Sequence, residues 1–317
     1  MKNIYSNIYK NSPKNLNKAK KFLKKNKIIG VPTETVYGLA GNAYSDKAIK
    51  KIYKLKKRPK KNPLIIHYDN LKKLKKDANI DNRFLKLYKK FSPGPLTFIL
   101  KKKKNSKICP LANAKLKTIA VRFPSHRTIK NLLKKLHFPL AIPSANISGK
   151  ISPVSSHDVF DEFGKNINFI LDGGMSKIGL ESTVINLCGI TKIMRPGAIS
   201  KKEIAKVLRK NIPFSKKFSK INSPGLLRKH YSPGIPIKLN CKKSDNRAAF
   251  IVFGKKYKKN KYTFNLSPKG NLSEAGKNLY KVLRKIKNLD FKRIDIVKIP
   301  NRGIGIVIND RLKKAAH

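Results

Sequence analysis

The 317-residue sequence predicts an α/β protein: a mixed sheet with intermixed helices, followed by a smaller α/β unit of Rossmann-like type. Three observations carry that expectation. Apolar runs of strand length are interspersed with lysine-rich segments whose apolar residues recur at helical spacing. Several strand-like runs are consecutive, "NFILDGG", "STVINL" and "TKIMRPG" among them, which points away from a purely parallel sheet. The periodicity also breaks near Ile212, in a stretch rich in Pro, Ser, Gly and Lys, and then resumes. The expected organisation is a first domain over 1–212, a linker over 213–243 and a second domain over 244–317.

The elements follow in order. "NLNKAKKFLKKNK" sets Leu16, Ala19, Phe22 and Leu23 on one helical face, and "KIIGVP" reads as a short buried strand. Asp46 is placed to cap a helix carrying Ile49, Ile52 and Tyr53. "PLIIHY" is a strand and "RFLKLYKKF" a helix. "PLTFILKK" and "TIAVRFP" are strands, and "RTIKNLLKKLH" is a helix. The strand "PLAIPSA", a helix around "HDVFDEFG", the three consecutive runs and the capped helix "SKKEIAKVLRK" complete the first part. Beyond the linker, "AAFIVFG" and "YTFNLS" read as strands, "SEAGKNLYKVLRKIKNLD" as a capped amphipathic helix and "RIDIVKIP" as a strand. "GIGIVINDRLKKAA" reads as a turn into a terminal helix. Its "GIG" lacks the third glycine of a dinucleotide fingerprint and fits structural packing.

The formal charge is +59, from 75 Lys and Arg against 16 Asp and Glu. Such a charge attracts polyanions nonspecifically at low salt. AT-rich codons account for abundant Lys, Asn and Ile, yet Asp and Glu, also AT-rich, are scarce. A polyanion-facing surface stays open beside nucleotide bias. The charge is spread along the chain, so it singles out no site. The three cysteines, Cys109, Cys188 and Cys241, form no metal or disulfide spacing. No apolar stretch approaches the roughly 20 residues of a membrane span, and the N-terminus lacks a signal core. A soluble, cytoplasmic protein is the expectation.

Polar residues gather at the ends of the strand-like runs. "GVPTETVYGLA" packs Thr33, Glu34 and Thr35 against a strand end. Lys56 and Arg58, two apart at a helix end, suit phosphate oxygens, with Arg able to bind in a bidentate way. They read equally as a solvated basic helix end. His67 alone reads as a structural histidine. Arg122 stands in an otherwise apolar strand and demands a partner or ligand. Ser144, Asn146, Ser148 and Ser152 follow another strand, where short polar side chains form ligand loops and ordinary turns alike. Ser182 and Thr183 open a strand, and Arg195 precedes a helix N-terminus, which favours anions. The pattern fits a polar cleft for a phosphate compound. No P-loop, G-x-S-x-G elbow or H-E-x-x-H helix is present.

Together the motifs resemble the threonylcarbamoyl-AMP synthase family, the YrdC-like proteins, in the two-domain form with a C-terminal accessory domain. The carrying segments are "PTETVYGLAGNA" (32–43), "KKRPKKNPLIIH" (56–67), "SPGPLTFIL" (92–100), "AVRFP" (120–124), "PSANISGKISP" (143–153), "LESTVIN" (180–186) and "RPGAI" (195–199). The linker's "SPGLLRKHYSPGIP" and the terminal "NDRLKKAA" extend the match over nearly the whole chain. The resemblance implies a twisted mixed-sheet catalytic domain that converts L-threonine, bicarbonate and ATP to L-threonylcarbamoyladenylate and pyrophosphate. The product goes to a downstream tRNA threonylcarbamoyl transferase, which modifies the adenosine beside the anticodon. It implies threonine near Thr33, His67, Arg122 and Ser182. It implies ATP near Lys56, Arg58, Asn62, Thr118, Ser144, Asn146, Ser152, Arg195 and Tyr231, with Lys56 and Arg58 as catalytic cations.

That chemistry suits these residue types. A carbamate attacking the α-phosphorus brings two anions together, so cations must offset their repulsion. With no carboxylate cluster, Mg²⁺ is expected to be held mainly by ATP phosphates and water. No general base is evident, so positioning and charge stabilisation carry the reaction. The long linker is expected to close over the cleft. The alternative function is a non-catalytic module binding double-stranded RNA or tRNA through its basic surface, which needs only Lys and Arg. A related carbamoyl-adenylate domain normally sits among zinc-finger-like cysteine pairs, which are absent here.

Overall fold

A computed structural model describes residues 5–215, 230–245, 247–258 and 260–316. Of the segment read as linker and lid, residues 216–229 lie outside the described residues. In chain order the first part holds β1 (Ile8–Lys10), α1 (Pro13–Lys24), β2 (Ile29–Val31), β3 (Gly38–Asn42), α2 (Asp46–Lys56), β4 (Ile65–His67), α3 (Leu71–Leu74) and α4 (Asn82–Phe91). There follow β5 (Leu96–Lys101), β6 (Thr118–Arg122), α5 (Arg127–Lys134), β7 (Leu140–Ala141), α6 (Ser156–Phe163), β8 (Ile170–Asp172), β9 (Thr183–Asn186), β10 (Lys192–Arg195) and α7 (Lys201–Leu208). The strands form one mixed ten-stranded sheet, ordered β1-β8-β2-β3-β7-β4-β6-β5-β9-β10.

Short polar side chains start most of these helices by accepting an orphan backbone N–H. Ser45, rather than Asp46, caps α2, because its hydroxyl accepts from the Ala48 amide while Asp46 pairs with Lys50. Ser155 and Ser200 make capping boxes with Asp158 and Glu203. Gly38 opens β3, antiparallel to β2. A Cβ there would lie 2.3 Å from Ile142 Cγ2 and 2.8 Å from the Pro143 carbonyl, so only glycine lets β3 approach this closely.

Side-chain alternation divides the sheet's two faces. Ile66, Phe98, Val121, Ile185 and Ile193 point into a core covered by α2, α4 and α7. Their neighbours Ile65, Ile99, Ala120, Val184 and Met194 form a small apolar floor on the other face, joined by no helix among the described residues. At the far end of the sheet, α1 and α5 cover one face and α6 the other.

The second part holds β11 (Ile237–Leu239), β12 (Ala248–Val252), β13 (Thr263–Asn265), α8 (Leu272–Lys287), β14 (Arg293–Ile296) and α9 (Ile304–Ala315). Its sheet, ordered β11-β14-β12-β13, is parallel throughout, as the Rossmann-like expectation required. β11 lies inside the segment read as linker. The "GIG" glycines serve packing: Gly303 caps α9, and a Cβ on Gly305 would sit 1.9 Å from the Pro300 carbonyl. Val36, Ile151, Val154 and Leu180 of the first part pack into the second part's core. Among the described residues, no helix is long and apolar enough to cross a membrane.

Candidate active site

The ends of β4, β6 and β10 and the starts of β3, β5 and β9 meet at one end of the large sheet. His67 and Arg122 are register partners, Thr97 faces Arg122, Leu96 faces Thr183, and Gly38 bridges Ser144. Thr33, Arg58, His67, Arg122, Ser144, Ser182, Arg195 and Tyr231, from segments scattered along the sequence, line a single cleft. Lys56, Asn62, Thr118, Asn146 and Ser152 are not on its wall.

One end of the cleft centres on Arg122. Its Nε donates to the Gly94 carbonyl at 3.2 Å, Nη1 to Thr35 Oγ1 at 2.8 Å and Nη2 to Glu34 Oε1 at 2.6 Å. Burial works against the charge of Glu34, but the Arg122 guanidinium outweighs it and holds the carboxyl below its usual range. Thr33 Oγ1 donates to the Val36 carbonyl at 2.6 Å, accepts from the Thr35 and Val36 amides and contacts Thr35 Oγ1 at 2.8 Å. Its hydroxyl is therefore occupied in closing its own turn. Of five guanidinium donors on Arg122, three are used, which leaves one on each Nη.

His67 stands beside it, 1% exposed. Its Nδ1 lies 3.2 Å from the Ile65 carbonyl, which fixes the proton there, and Nε2 has no partner among the described residues. Burial, then the nearby Arg122, pushes its pKa well down, so the ring is neutral. Nε2 is thus a buried acceptor facing the cleft.

Most of the expected residues that do not line the cleft lie in the loops behind its wall. Lys56 is buried, and its ammonium reaches the Ser144 carbonyl at 2.5 Å and the carbonyl of Asn146, not the cleft. Burial, with Arg58 adding to it, depresses its pKa strongly. Lys56 therefore ties the end of α2 to the serine-rich loop. Asn146 folds that loop by donating to the Ile147 and Lys150 carbonyls. Asn62 accepts from Arg58 Nη2 at 2.6 Å and so steadies the arginine. Ser152 is fully buried and donates to Glu181 at 2.7 Å. Thr118 begins β6, at the strand end away from Arg122, and lines a separate hollow with Asn79 and Cys188.

The other end carries the remaining cations. Burial pushes the Arg58 pKa down to about 10; its Nε and Nη2 donate to Asn62 and to the Pro63 carbonyl, and Tyr53 also meets its side chain. Arg195 grips the Ser182 carbonyl through Nε and Nη2, at 3.1 and 2.9 Å, and the Ser182 hydroxyl at 3.1 Å. The Ser182 hydroxyl also meets Thr97 Oγ1 at 2.7 Å. Tyr231 is 1% exposed, and its hydroxyl has no partner among the described residues. His230 lies next to it with Nδ1 likewise unpartnered, and burial lowers its pKa to about 3.

Glu181, His230 and Thr35 belong to the cleft wall, and Thr97 and Glu34 stand behind it; none was a predicted contact. For most of them the signal was adjacency: Glu181 precedes Ser182, His230 precedes Tyr231, and Glu34 and Thr35 follow Thr33. The unpaired His67 Nε2 and Tyr231 hydroxyl belong to residues of the cleft wall, where they offer polar atoms to a ligand. With Arg58, Arg122 and Arg195 around them, the cleft suits an anionic ligand bearing N–H or O–H donors.

A family model described as "Telomere recombination", for the Sua5, YciO and YrdC proteins, matches residues 21–197. One described as "Threonylcarbamoyl-AMP synthase, C-terminal domain" matches residues 199–317. The threonylcarbamoyl-AMP synthase of Pyrococcus abyssi is 35% identical, over 93% of this chain and 92% of that protein. The synthase of Bacillus subtilis is 34% identical, over 93% of this chain and 90% of its own length. The crystal structure of P. abyssi Sua5 complexed with L-threonine superposes with a TM-score of 0.90 at 32% identity, covering 98% of this chain and 97% of that one.

Proposed function

The chain belongs to the threonylcarbamoyl-AMP synthase family, and from that premise we propose how its own cleft makes threonylcarbamoyl-AMP. The substrates are L-threonine, ATP and bicarbonate. Threonine's amine and bicarbonate form a carbamate with loss of water. A carbamate oxygen then attacks the α-phosphorus, the bond to the β-phosphate breaks, and pyrophosphate leaves. We take 1–212 as the catalytic domain and 244–317 as the accessory domain.

The observation that carries this reading is the pairing of a neutral, unpartnered His67 Nε2 with the two spare donors of Arg122. A zwitterionic amino acid needs that combination: donors for its carboxylate, an acceptor for its ammonium or hydroxyl. The Ser182 hydroxyl, which the resemblance assigns to threonine, meets Arg195 at 3.1 Å and serves the phosphate end instead. Thr33 acts through Thr35, as part of the turn that aims Arg122. Arg58 and Arg195 meet the phosphates, and Ser144 and Tyr231 wall the nucleotide. The apolar floor of Ile65, Ile99, Ala120, Val184 and Met194 beside them suits the nucleoside. Lys56, Asn62, Asn146 and Ser152 hold the loops that form this end.

Nearby carboxylates are already engaged, Glu34 by Arg122 and Glu181 by Arg311. Among the described residues no group of three His, Cys, Asp or Glu could hold a metal. Mg²⁺ would enter with ATP, held by its phosphates and water. The product passes to a downstream tRNA threonylcarbamoyl transferase. The reading as a mere RNA-binding module is disfavoured, because phosphate binding needs no buried unpaired acceptor.

Pure protein mixed with ATP, bicarbonate and threonine tests the proposal. Pyrophosphate release is expected to require both threonine and bicarbonate; release independent of either would overturn it.

A further inference from the structure

The last helix of the chain reaches the cleft. Arg311, on α9, is 1% exposed. Its Nε donates to Glu181 Oε2 at 2.9 Å, its Nη2 to the Pro196 carbonyl at 2.9 Å, and its Nη1 pairs with Asp310. Its guanidinium carbon lies 5.0 Å from the centre of the Tyr231 ring, a cation–π contact.

These contacts bracket the nucleotide end from both sides. Glu181 immediately precedes Ser182, and Pro196 immediately follows Arg195. The next residue, Gly197, packs so closely on this strand start that a Cβ would lie 2.3 Å from the Thr183 amide. A single side chain thus holds the two backbone segments that present Ser182 and Arg195. Glu181 accepts further bonds from Ser152 at 2.7 Å and, through both oxygens, from Tyr280 of α8 at 2.9 and 3.0 Å.

Tyr231 needs such support. Its φ is +66°, a left-handed conformation costly for a bulky side chain. Arg311 covers its ring, Tyr280 stacks on it at 5.7 Å, and the Lys314 carbonyl accepts from the His230 amide at 3.0 Å. On the other side the Ser232 amide donates to the Gly149 carbonyl at 2.9 Å. By contrast, among the described residues every side-chain hydrogen bond of Arg122 and His67 stays within the first 122 residues.

We propose that Arg311 is a positioning residue of the nucleotide site, through which the C-terminal domain completes the cleft by fixing Glu181, the Arg195 turn and Tyr231. The proposal rests on the assignment of ATP to that end. The C-terminal domain is then part of the nucleotide site and not of the threonine site, and loss of Arg311 weakens ATP selectively.

The test compares Arg311→Lys, Tyr231→Ala and the double variant with the full-length protein. Calorimetry reads threonine and a non-hydrolysable ATP analogue, turnover gives KM for ATP, and a melt gives Tm. Arg311→Lys is expected to weaken the ATP analogue and raise KM for ATP about tenfold, and to leave threonine affinity within about threefold. In the Tyr231→Ala background the same change is expected to add less than about twofold, because the two act as one unit. Independent, multiplicative losses would overturn the proposal, as would equal weakening of threonine and ATP in step with a lower Tm. If Arg311→Lys folds poorly, Arg311→Met with Glu181→Gln removes both buried charges and is expected to show the same selective ATP defect; unchanged ATP binding there overturns the proposal. Failure of the wild type to release pyrophosphate would sink the synthase mechanism alone, since binding of the ATP analogue still reads the role of Arg311.

Discussion

The His67–Arg122 end of the cleft and the Arg195–Tyr231 end are secured by different parts of the chain. At the first, Arg122 is aimed by Glu34, Thr35 and Gly94, all in the large sheet or its loops. At the second, Glu181 and Tyr231 depend on Tyr280 and Arg311 from the C-terminal helices. Both ends place a buried arginine beside a buried carboxylate. The difference is that the first pair closes within one domain and the second crosses between two. On the function proposed above, a site built this way assigns binding of the amino acid to the first domain alone and enclosure of the nucleotide to both domains together.

The strongest blow to this contrast comes from Arg122→Ala. It leaves Glu34 buried without its cation, a change that costs about 3–5 kcal/mol. Threonine affinity is expected to vanish in calorimetry while the ATP analogue still binds. Equal loss of both ligands in a variant that remains folded would show that the two ends are not separately built.

Lys56→Met sharpens the nucleotide end. Two carbonyls lose their donor, at a cost of about 1–3 kcal/mol in a denaturant melt. ATP binding is expected to weaken because the Ser144 loop loosens. Arg58→Ala is expected to depress turnover with a smaller change in stability. If Lys56→Met keeps wild-type stability and loses turnover, its ammonium acts on substrate and not on the loop.

Acid separates the histidines from the carboxylates. His67 and His230 have lowered values, His230 to about 3, so the folded state refuses protons that the unfolded chain takes below about 6.5. Stability therefore falls as pH drops through that window, by about 2 kcal/mol from His230 alone between about pH 7 and pH 5. Glu34 and Glu181 also have lowered values, so their contribution is still present at pH 5 and is lost only further down, for Glu181 as pH approaches about 2. Denaturation of wild type and His230→Gln at both pH values reads the effect. An undiminished drop in His230→Gln would remove His230 as its source.

The smallest effect is expected at Thr33. Thr33→Val removes a bond that closes a turn, worth about 1 kcal/mol, with threonine affinity reduced only a few-fold. A loss of about a hundredfold at unchanged stability would mean that the hydroxyl touches the substrate directly.

Much of the site was legible from types and places. Arg122 in an apolar strand needed a partner, and Glu34 supplies it. Ser144, Ser182 and Arg195 stood at strand ends, and those ends converge. Lys56 was visible as a motif, but its direction was not: a helix-end lysine can face phosphate or carbonyl oxygens with the same sequence around it. Thr118 shows the limit from the other side, since membership of the Arg122 strand did not bring it to the cleft. The constraint on Gly38, the approach of Ile142 and Pro143, was not legible because it is set by residues distant in the chain.

The sequence by itself determined the alternation of strands and helices, the break after Ile212 and the polar character of the strand ends. These depend on spacing and composition within a few residues. The tertiary structure alone decided which polar groups satisfy one another and which are left for a ligand. That selection rests on partners far apart in the chain: Arg122 with Glu34, 88 residues away, and Arg311 with Glu181, 130 residues away. A buried charge is silenced or exposed by its neighbours in space, and sequence distance does not record them.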